Sequence, residues 1–233
     1  MLPINFKQAH SKNYTKGRTD SKGRTDSIEW IVIHYTANKG DTAKNNADYF
    51  SNEVKEHTSA HYFVDKTSIW QTVKDTDTAH AVGGASKYYN DCRNANSIHI
   101  EMCDALTSVD LQTRQNTIDL TKYLMEKYNV DVSHVVRHYD VTHKTCPAPW
   151  VKDTDAWNNF KKDLEEEEMT QEQFNEMLQV AFDNLNAKST SAWAADESVL
   201  EKAKELGISD GTRPQGLAKR EEVIAMIVRA MAN

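Results

Sequence analysis

The first two thirds of the chain contain short apolar runs that predict β-strands. The run IEWIVIHY at residues 28–35 is rich in β-branched side chains and predicts a buried central strand. Residues 62–73 predict a hairpin that turns at Lys66-Thr67-Ser68. Residues 97–103 and 132–138 carry side chains of different polarity at alternate positions. This period of two predicts strands whose two faces differ in chemistry.

Apolar residues at helical spacing separate these predicted strands. Ala43, Ala47 and Phe50 predict an amphipathic helix that begins after Asp41 or Thr42. A longer helix is predicted over Leu111–Tyr128. Because strands and helices alternate, we expect an α/β fold in which helices cover a sheet.

The last part of the chain has helical periodicity without strands. Apolar stripes run from Phe174 to Leu185, from Val199 to Leu206 and from Val223 to Met231, and Gly207 is a helix-ending signal. The acidic run Glu165–Glu168 precedes them and indicates a boundary. We therefore predict an α/β domain over 28–163 and a small all-helical domain over 164–233.

Residues 1–27 contain the hexapeptide KGRTDS twice in succession and show no hydrophobic period. Six basic residues stand against two acidic ones, although the whole chain of 233 residues has a net charge of -7. A polar repeat of this kind predicts a flexible N-terminal arm, which is either simply solvated or a tether to an anionic surface. We expect its removal to leave the fold intact.

Composition excludes several classes of protein. Two acidic domains make nucleic acid a poor partner, and no apolar run is long enough to span a membrane. The N-terminus has no apolar segment of signal-peptide length, which predicts synthesis in the cytoplasm. Three cysteines are too few for a disulfide scaffold, and we expect Cys92 and Cys103 to be buried thiols.

Three residues have the chemistry of a metal site. His34 and His138 close predicted strands, and Cys146 follows His138 by eight residues in a loop that contains Pro147 and Pro149. A catalytic zinc ion takes three such ligands and leaves its fourth position to water. A zinc ion (Zn²⁺) held there would bring the pKa of that water toward neutrality and so activate it for hydrolysis.

Hydrolysis of an amide also needs a proton-transfer group and a cation near the developing oxyanion. Glu101 suits the first role, because it lies on the polar face of its predicted strand without a neighbouring Lys or Arg in the sequence. Lys144 suits the second, because it precedes Cys146 by two residues. Both are therefore predicted catalytic residues.

The runs IVIHYTA, SAHYFVD, SIHIEMC and RHYDVTHKTCPAPW together resemble the zinc-dependent N-acetylmuramoyl-L-alanine amidases of the type 2 family, which includes phage endolysins. The resemblance covers roughly residues 28–163. It implies a central mixed β-sheet flanked by helices and a groove above zinc. It also implies cleavage of peptidoglycan between N-acetylmuramic acid and L-alanine, with His34, His138 and Cys146 as zinc ligands and with Glu101 and Lys144 catalytic.

Other histidines receive roles only through this resemblance. His61 and His80 are expected to contact substrate in the groove, and His61 is alternatively placed to assist the water. His143 could compete as a ligand, but the family pattern favours His138. Many members of the family have Gly where His99 stands, so the packing of that strand is expected to differ here.

The C-terminal segment leaves two interpretations open. Trp193-Ala194, LGISDGTRP and KREEVIAMIVRA resemble wall-anchoring segments, which implies attachment to the cell wall through a secondary wall polymer. The alternative is a homo-oligomer formed through 169–233.

Three functions of the whole chain are compatible with these observations. They are an endolysin that reaches the wall after release from the cytoplasm, a cytoplasmic amidase that recycles muropeptides, and a recognition module without catalysis.

Overall fold

The computed structural model describes residues 1–19, 23, 25–55, 57–83, 92–166, 171–185, 199–209 and 220–232. These residues belong to two compact units, Met1–Glu167 and Glu168–Asn233. Several predicted features lie outside the described residues, namely Asp20–Lys22 and Arg24 of the hexapeptide repeat, Glu167 and Glu168, and parts of the wall-anchoring motifs, 193–194 and 210–219.

A six-stranded mixed sheet forms the centre of the first unit, and a short antiparallel pair lies outside it. The strands are β1 (Ile4–Phe6), β2 (Tyr14–Thr15), β3 (Trp30–Tyr35), β4 (Tyr62–Val64), β5 (Ile69–Gln71), β6 (Thr78–Ala79), β7 (Ser97–Met102) and β8 (Val135–Arg137). The order in the sheet is β1-β5-β4-β7-β3-β8, and β2 pairs with β6. The β4, β7, β3 and β8 strands are mutually parallel, whereas β5 is antiparallel to β4 and pairs in parallel with β1.

Helices flank this sheet, as the sequence predicted. The side chain of Thr42 accepts a hydrogen bond from the backbone N–H of Asn45 and so caps the first helix. Asp110 caps the second helix in the same way. The helices of the first unit are α1 (Ala43–Asn52), α2 (Leu111–Tyr128), α3 (His138–Thr142), α4 (Ala148–Lys152) and α5 (Thr154–Glu165).

The alternation along β3 and β7 gives the sheet one apolar face and one chemically mixed face. Ile98, Ile100 and Met102 are fully buried in the main core, together with apolar side chains of α2 and α5. Ser97, His99 and Glu101 take the intervening positions of β7 and so lie on the other face. The fold therefore places polar groups where a site can form.

The prediction that residues 1–27 form a flexible arm is wrong for those of them that the structure describes. Ile4–Phe6 extends the central sheet by pairing in parallel with Ile69–Gln71, and Tyr14–Thr15 pairs with Thr78–Ala79. Asp26 forms an ion pair with Arg93. The segment thus belongs to the first compact unit rather than to a solvated extension.

Arg18, in the first copy of the repeat, is buried with 8% exposure. Its guanidinium donates hydrogen bonds to the backbone carbonyl oxygens of Asp75, Ala95 and Ser97. Burial lowers the pKa of Arg18 to about 10, so the side chain is still charged at neutral pH. Three long-range carbonyl contacts explain why Arg18, although it lies in a polar repeat, packs into the fold.

We predict that Arg18→Ala destabilises the first unit by about 2–4 kcal/mol, because buried carbonyl oxygens lose their donor. Urea unfolding of the full chain, followed by tryptophan fluorescence, measures the change. Lys12→Ala removes an exposed cation from the same segment and serves as the control. Equal stability of the two variants would show that the Arg18 contacts are energetically unimportant.

The predicted strand over 132–138 is shorter in the structure. Val132–His134 forms a 3₁₀ turn, and the strand covers only Val135–Arg137. The side chain of Asp140 accepts a hydrogen bond from the backbone N–H of Arg137, and α3 begins at His138. This local cap ends the strand one residue before the histidine.

The described part of the second unit is helical, as predicted. It contains α6 (Gln171–Leu185), α7 (Val199–Glu205) and α8 (Arg220–Ala232). Gly207 follows α7 with a φ of +66°, a conformation that glycine adopts without steric cost. Within the described residues, no helix combines the length and hydropathy that crossing a membrane would need.

Candidate metal centre and cleft

Parallel strands bring the candidate residues to one edge of the sheet. His34 and Glu101 are register partners near the carboxyl ends of β3 and β7. Ile33 pairs with Arg137 of β8, so His138 follows directly beside them. The carboxyl edge of parallel strands is the usual position of sites in open α/β sheets.

The loop after α3 brings a sulfur atom to the two histidines. The backbone N–H of Tyr139 donates to the carbonyl oxygen of Cys146 at 2.8 Å and closes this loop. The Nδ1 atoms of His34 and His138 lie 3.0 Å apart, and the Sγ atom of Cys146 lies 3.8 Å from Nδ1 of His34. All three side chains are buried, and their ligand atoms lie within 4.8 Å of one another.

These separations suit a tetrahedral zinc ion. Zinc–nitrogen bonds of about 2.0–2.1 Å and zinc–sulfur bonds of about 2.3 Å would separate two nitrogens by about 3.4 Å and nitrogen from sulfur by about 3.6 Å. The two distances from Nδ1 of His34, 3.0 Å to His138 and 3.8 Å to Cys146, are within about 0.4 Å of these values. The donor set, two imidazoles and one thiol, is also typical of zinc.

Burial keeps the candidate ligands uncharged in the metal-free protein. It lowers the pKa of His138 to about 4 and that of His34 well below its ordinary value, and the Lys144 charge acts in the same direction. Burial and the neighbouring Glu101 raise the pKa of the Cys146 thiol to about 12, although a hydrogen bond from the Tyr35 backbone opposes this rise. Both imidazoles are therefore free to bind a cation at neutral pH.

Glu101 is the acidic group of this site. Burial raises its pKa to about 7, while the Lys144 charge lowers it and the Asp41 charge raises it. Within the described part of the chain, its Oε2 atom is buried and has no hydrogen-bond partner. A carboxyl group in this state can accept or release a proton near neutral pH.

A cleft of about 650 Å³ opens above these groups. His34, Glu101, His138, Lys144 and Cys146 all line it. Lys144 itself is exposed, so its ammonium is accessible to a bound molecule. The structure thus brings the three candidate ligands and both predicted catalytic residues to one cleft.

Of the remaining two predicted site residues, His80 lines the cleft and His61 does not. Nε2 of His80 lies 3.0 Å from Oγ1 of Thr15, and its ring meets that of His57 edge to face. His61 is fully buried, and its Nε2 lies 3.2 Å from the carbonyl oxygen of Asp77. The prediction that His61 contacts substrate is therefore wrong, because protein groups surround its ring.

Two further residues qualify the sequence prediction. His143 caps the end of α3 with a positive φ, is exposed and stacks on Tyr139, so it lies outside the ligand cluster. Thr36, which the sequence did not single out, lines the cleft and has a buried Oγ1 without a partner among the described residues. Its position directly after the strand that ends at Tyr35 is the signal that could have indicated it.

Comparison with known proteins identifies the family. Residues 24–149, which include all five clustered residues, match the N-acetylmuramoyl-L-alanine amidase family. The chain belongs to this family. The resemblance drawn from the sequence motifs is thus confirmed, and so are the mixed sheet and its flanking helices.

Individual relatives agree with this assignment. The N-acetylmuramoyl-L-alanine amidase CwlL of Bacillus licheniformis is 34% identical over 147 residues, and BlyA of Bacillus subtilis is 36% identical over 152 residues. Each alignment covers 59% of this chain but only 41% of the relative. A mutant endolysin from Bacillus subtilis has a similar structure, with a TM-score of 0.58, 27% identity and coverage of 70% of this chain and 99% of its own.

Proposed function

We propose that this amidase-family chain hydrolyses peptidoglycan at the amide between N-acetylmuramic acid and L-alanine. The observation that carries the proposal is a buried His34–His138–Cys146 cluster that lines an open cleft together with Glu101. One carboxyl oxygen of Glu101 has no hydrogen-bond partner among the residues that the structure describes. The matched family and both curated relatives carry the name of this activity.

His34, His138 and Cys146 would hold a zinc ion. When bound, zinc supplies a Lewis acid that polarises a carbonyl group and acidifies water. The three protein ligands come from strand β3, from the first residue after its neighbour β8, and from one closed loop, so the protein fixes their geometry before the ion binds.

Glu101 moves the proton in the proposed reaction. Its carboxylate accepts a proton from the attacking water while the water oxygen bonds to the amide carbon. The same proton then passes to the leaving nitrogen of L-alanine as the carbon–nitrogen bond breaks. A pKa of about 7 suits a group that must accept and then donate.

Lys144 stabilises negative charge on the carbonyl oxygen of the tetrahedral intermediate. It lines the cleft together with the ligand cluster, and its charge influences the pKa of Glu101, His34 and His138. We further propose that His80, on the cleft wall, contacts the substrate. The cleft that Lys144 and His80 line is open to solvent, so a polymer can enter it.

Digestion of purified bacterial walls tests the proposed function. The full chain should clear wall suspensions, a chelator should stop clearing, and zinc should restore it. Mass spectrometry should find new N-terminal L-alanine and intact glycan strands. Binding without cleavage would favour a recognition module, and cleavage of soluble muropeptides but not walls would favour a cytoplasmic recycling enzyme.

We also propose that the helical unit holds the enzyme on the wall after release from the cytoplasm, through a secondary wall polymer. The alternative, assembly of a homo-oligomer through 169–233, rests on apolar side chains of α6 that are substantially exposed, such as Met177 at 51%.

Removal of residues 167–233 distinguishes these roles. If the unit binds walls, the truncated chain should sediment with walls at least about tenfold less and cleave a soluble fragment at an unchanged rate. Light scattering of the full chain measures its oligomeric state in parallel. Unchanged wall binding by the truncated chain, together with a full-length dimer, would support the oligomer instead.

A further inference from the structure

We infer that His99 is a positioning residue that orients the ring of His34 toward the metal. The inference rests on the metal site proposed above and adds a residue to it. His99 is fully buried and does not line the cleft, so it acts through His34 rather than on substrate.

Strand register explains why the two rings meet. His34 pairs with Glu101, and Val32 pairs with His99, two positions earlier on the same face of β7. A diagonal neighbour across two strands is within reach of a long side chain. Nε2 of His34 lies 3.2 Å from Nδ1 of His99, and the rings are inclined at 68°.

The hydrogen bonds around His99 have one consistent direction. The Ser97 hydroxyl donates to the carbonyl oxygen of Arg93 at 2.6 Å, which leaves its oxygen free to accept from Nε2–H of His99 at 3.0 Å. A neutral His99 then has a bare Nδ1, which accepts from Nε2–H of His34. His34 is thereby held with its own Nδ1 unprotonated and directed at His138 and Cys146.

His99 is itself fixed from a second side. Its backbone N–H donates to Nδ1 of His61 at 3.1 Å, and the two rings stack with centroids 5.6 Å apart. This gives the buried His61, which does not reach the cleft, a structural role. Metal-binding histidines commonly donate their second N–H to a protein acceptor, and loss of such an acceptor typically weakens metal binding by about 10–100-fold.

Zinc competition against a chromogenic chelator tests the inference on the full chain. His99→Leu removes the acceptor at nearly constant volume and should weaken zinc binding by about 10–100-fold. His99→Asn keeps an acceptor near the Nδ1 position and should recover most of the affinity. The absorption spectrum of the cobalt-substituted protein should shift in the Leu variant, because the His34 ring reorients.

A second variant keeps the inference testable if the Leu variant does not fold. Ser97→Ala is a smaller change that deprives His99 of its own acceptor, and it should weaken zinc binding several-fold. Wild-type affinity in both the Leu and Ala variants, or equal losses in Leu and Asn, would overturn the inference. Failure of the wild-type chain to bind zinc would instead overturn the proposed metal site, and the inference with it.

Discussion

Cys146→Ser is expected to abolish zinc binding at micromolar metal and to reduce wall hydrolysis to background. The substitution removes the only sulfur atom of the buried ligand cluster. A serine hydroxyl is a poor zinc ligand because it does not ionise as a thiol does. Since loss of a supporting group alone costs about 10–100-fold in affinity, loss of a direct ligand should cost more than that.

The pH dependence of binding gives this prediction a second measurement. The Cys146 thiol has a pKa of about 12 in the metal-free protein, so zinc must displace its proton at any neutral pH. Apparent affinity should therefore rise about tenfold for each unit of pH in the wild-type chain. This proton-linked rise should be missing from whatever weak binding the serine variant keeps.

Cys103→Ser is the matched control. Cys103 is also a buried thiol, but it contacts Asn46 and is outside the ligand cluster. The control variant should keep one zinc ion per chain, measured by elemental analysis after dialysis. Full zinc content and activity in Cys146→Ser would contradict the proposed ligand set.

The candidate site was largely predictable because its residues carry local signals. His34 closes a conspicuous apolar run, and the alternation of residues 97–103 places Glu101 on the polar face. Because neighbouring parallel strands run in the same direction, their carboxyl ends lie at the same edge of the sheet. Six of the seven predicted site residues consequently line one cleft in the structure.

The errors arose where long-range contacts decide the structure. Ile4–Phe6 is only three residues long and pairs with a strand more than sixty residues away. A strand this short has no hydrophobic alternation from which the sequence could predict it. Arg18 resembles any solvated arginine until its distant carbonyl partners are known. His61 is adjacent to the predicted hairpin, but its partners come from distant segments that the sequence pattern does not place.

Glu101→Gln is expected to separate catalysis from metal binding. Wall hydrolysis should fall by about 10²–10⁴-fold, because glutamine has the same shape but cannot accept the proton of water. Zinc content should remain at one ion per chain, since Glu101 is outside the ligand cluster. Turnover assays on walls, combined with elemental analysis, measure both quantities.

The same substitution should not destabilise the metal-free protein and should stabilise it at high pH. A rise of the Glu101 pKa from 4.5 to about 7 means that folding disfavours the carboxylate, by up to about 3 kcal/mol. This cost is absent below pH 4.5, grows between pH 4.5 and about 7, and is complete above that. The stability gain of Glu101→Gln should follow the same course in urea unfolding with a chelator present.

Glu53→Gln provides the control, because it removes one negative charge from an exposed position. Its activity and stability should match the wild-type chain at every pH. Wild-type turnover in Glu101→Gln would remove Glu101 from the mechanism, whereas a loss of zinc with activity would make it a support of the metal site. If Glu101→Gln instead had a lower free energy of unfolding than the wild-type chain above pH 7, the Glu101 carboxylate would have a stabilising partner in solution. That result would contradict the argument that burial raises the Glu101 pKa to a value suited to proton transfer.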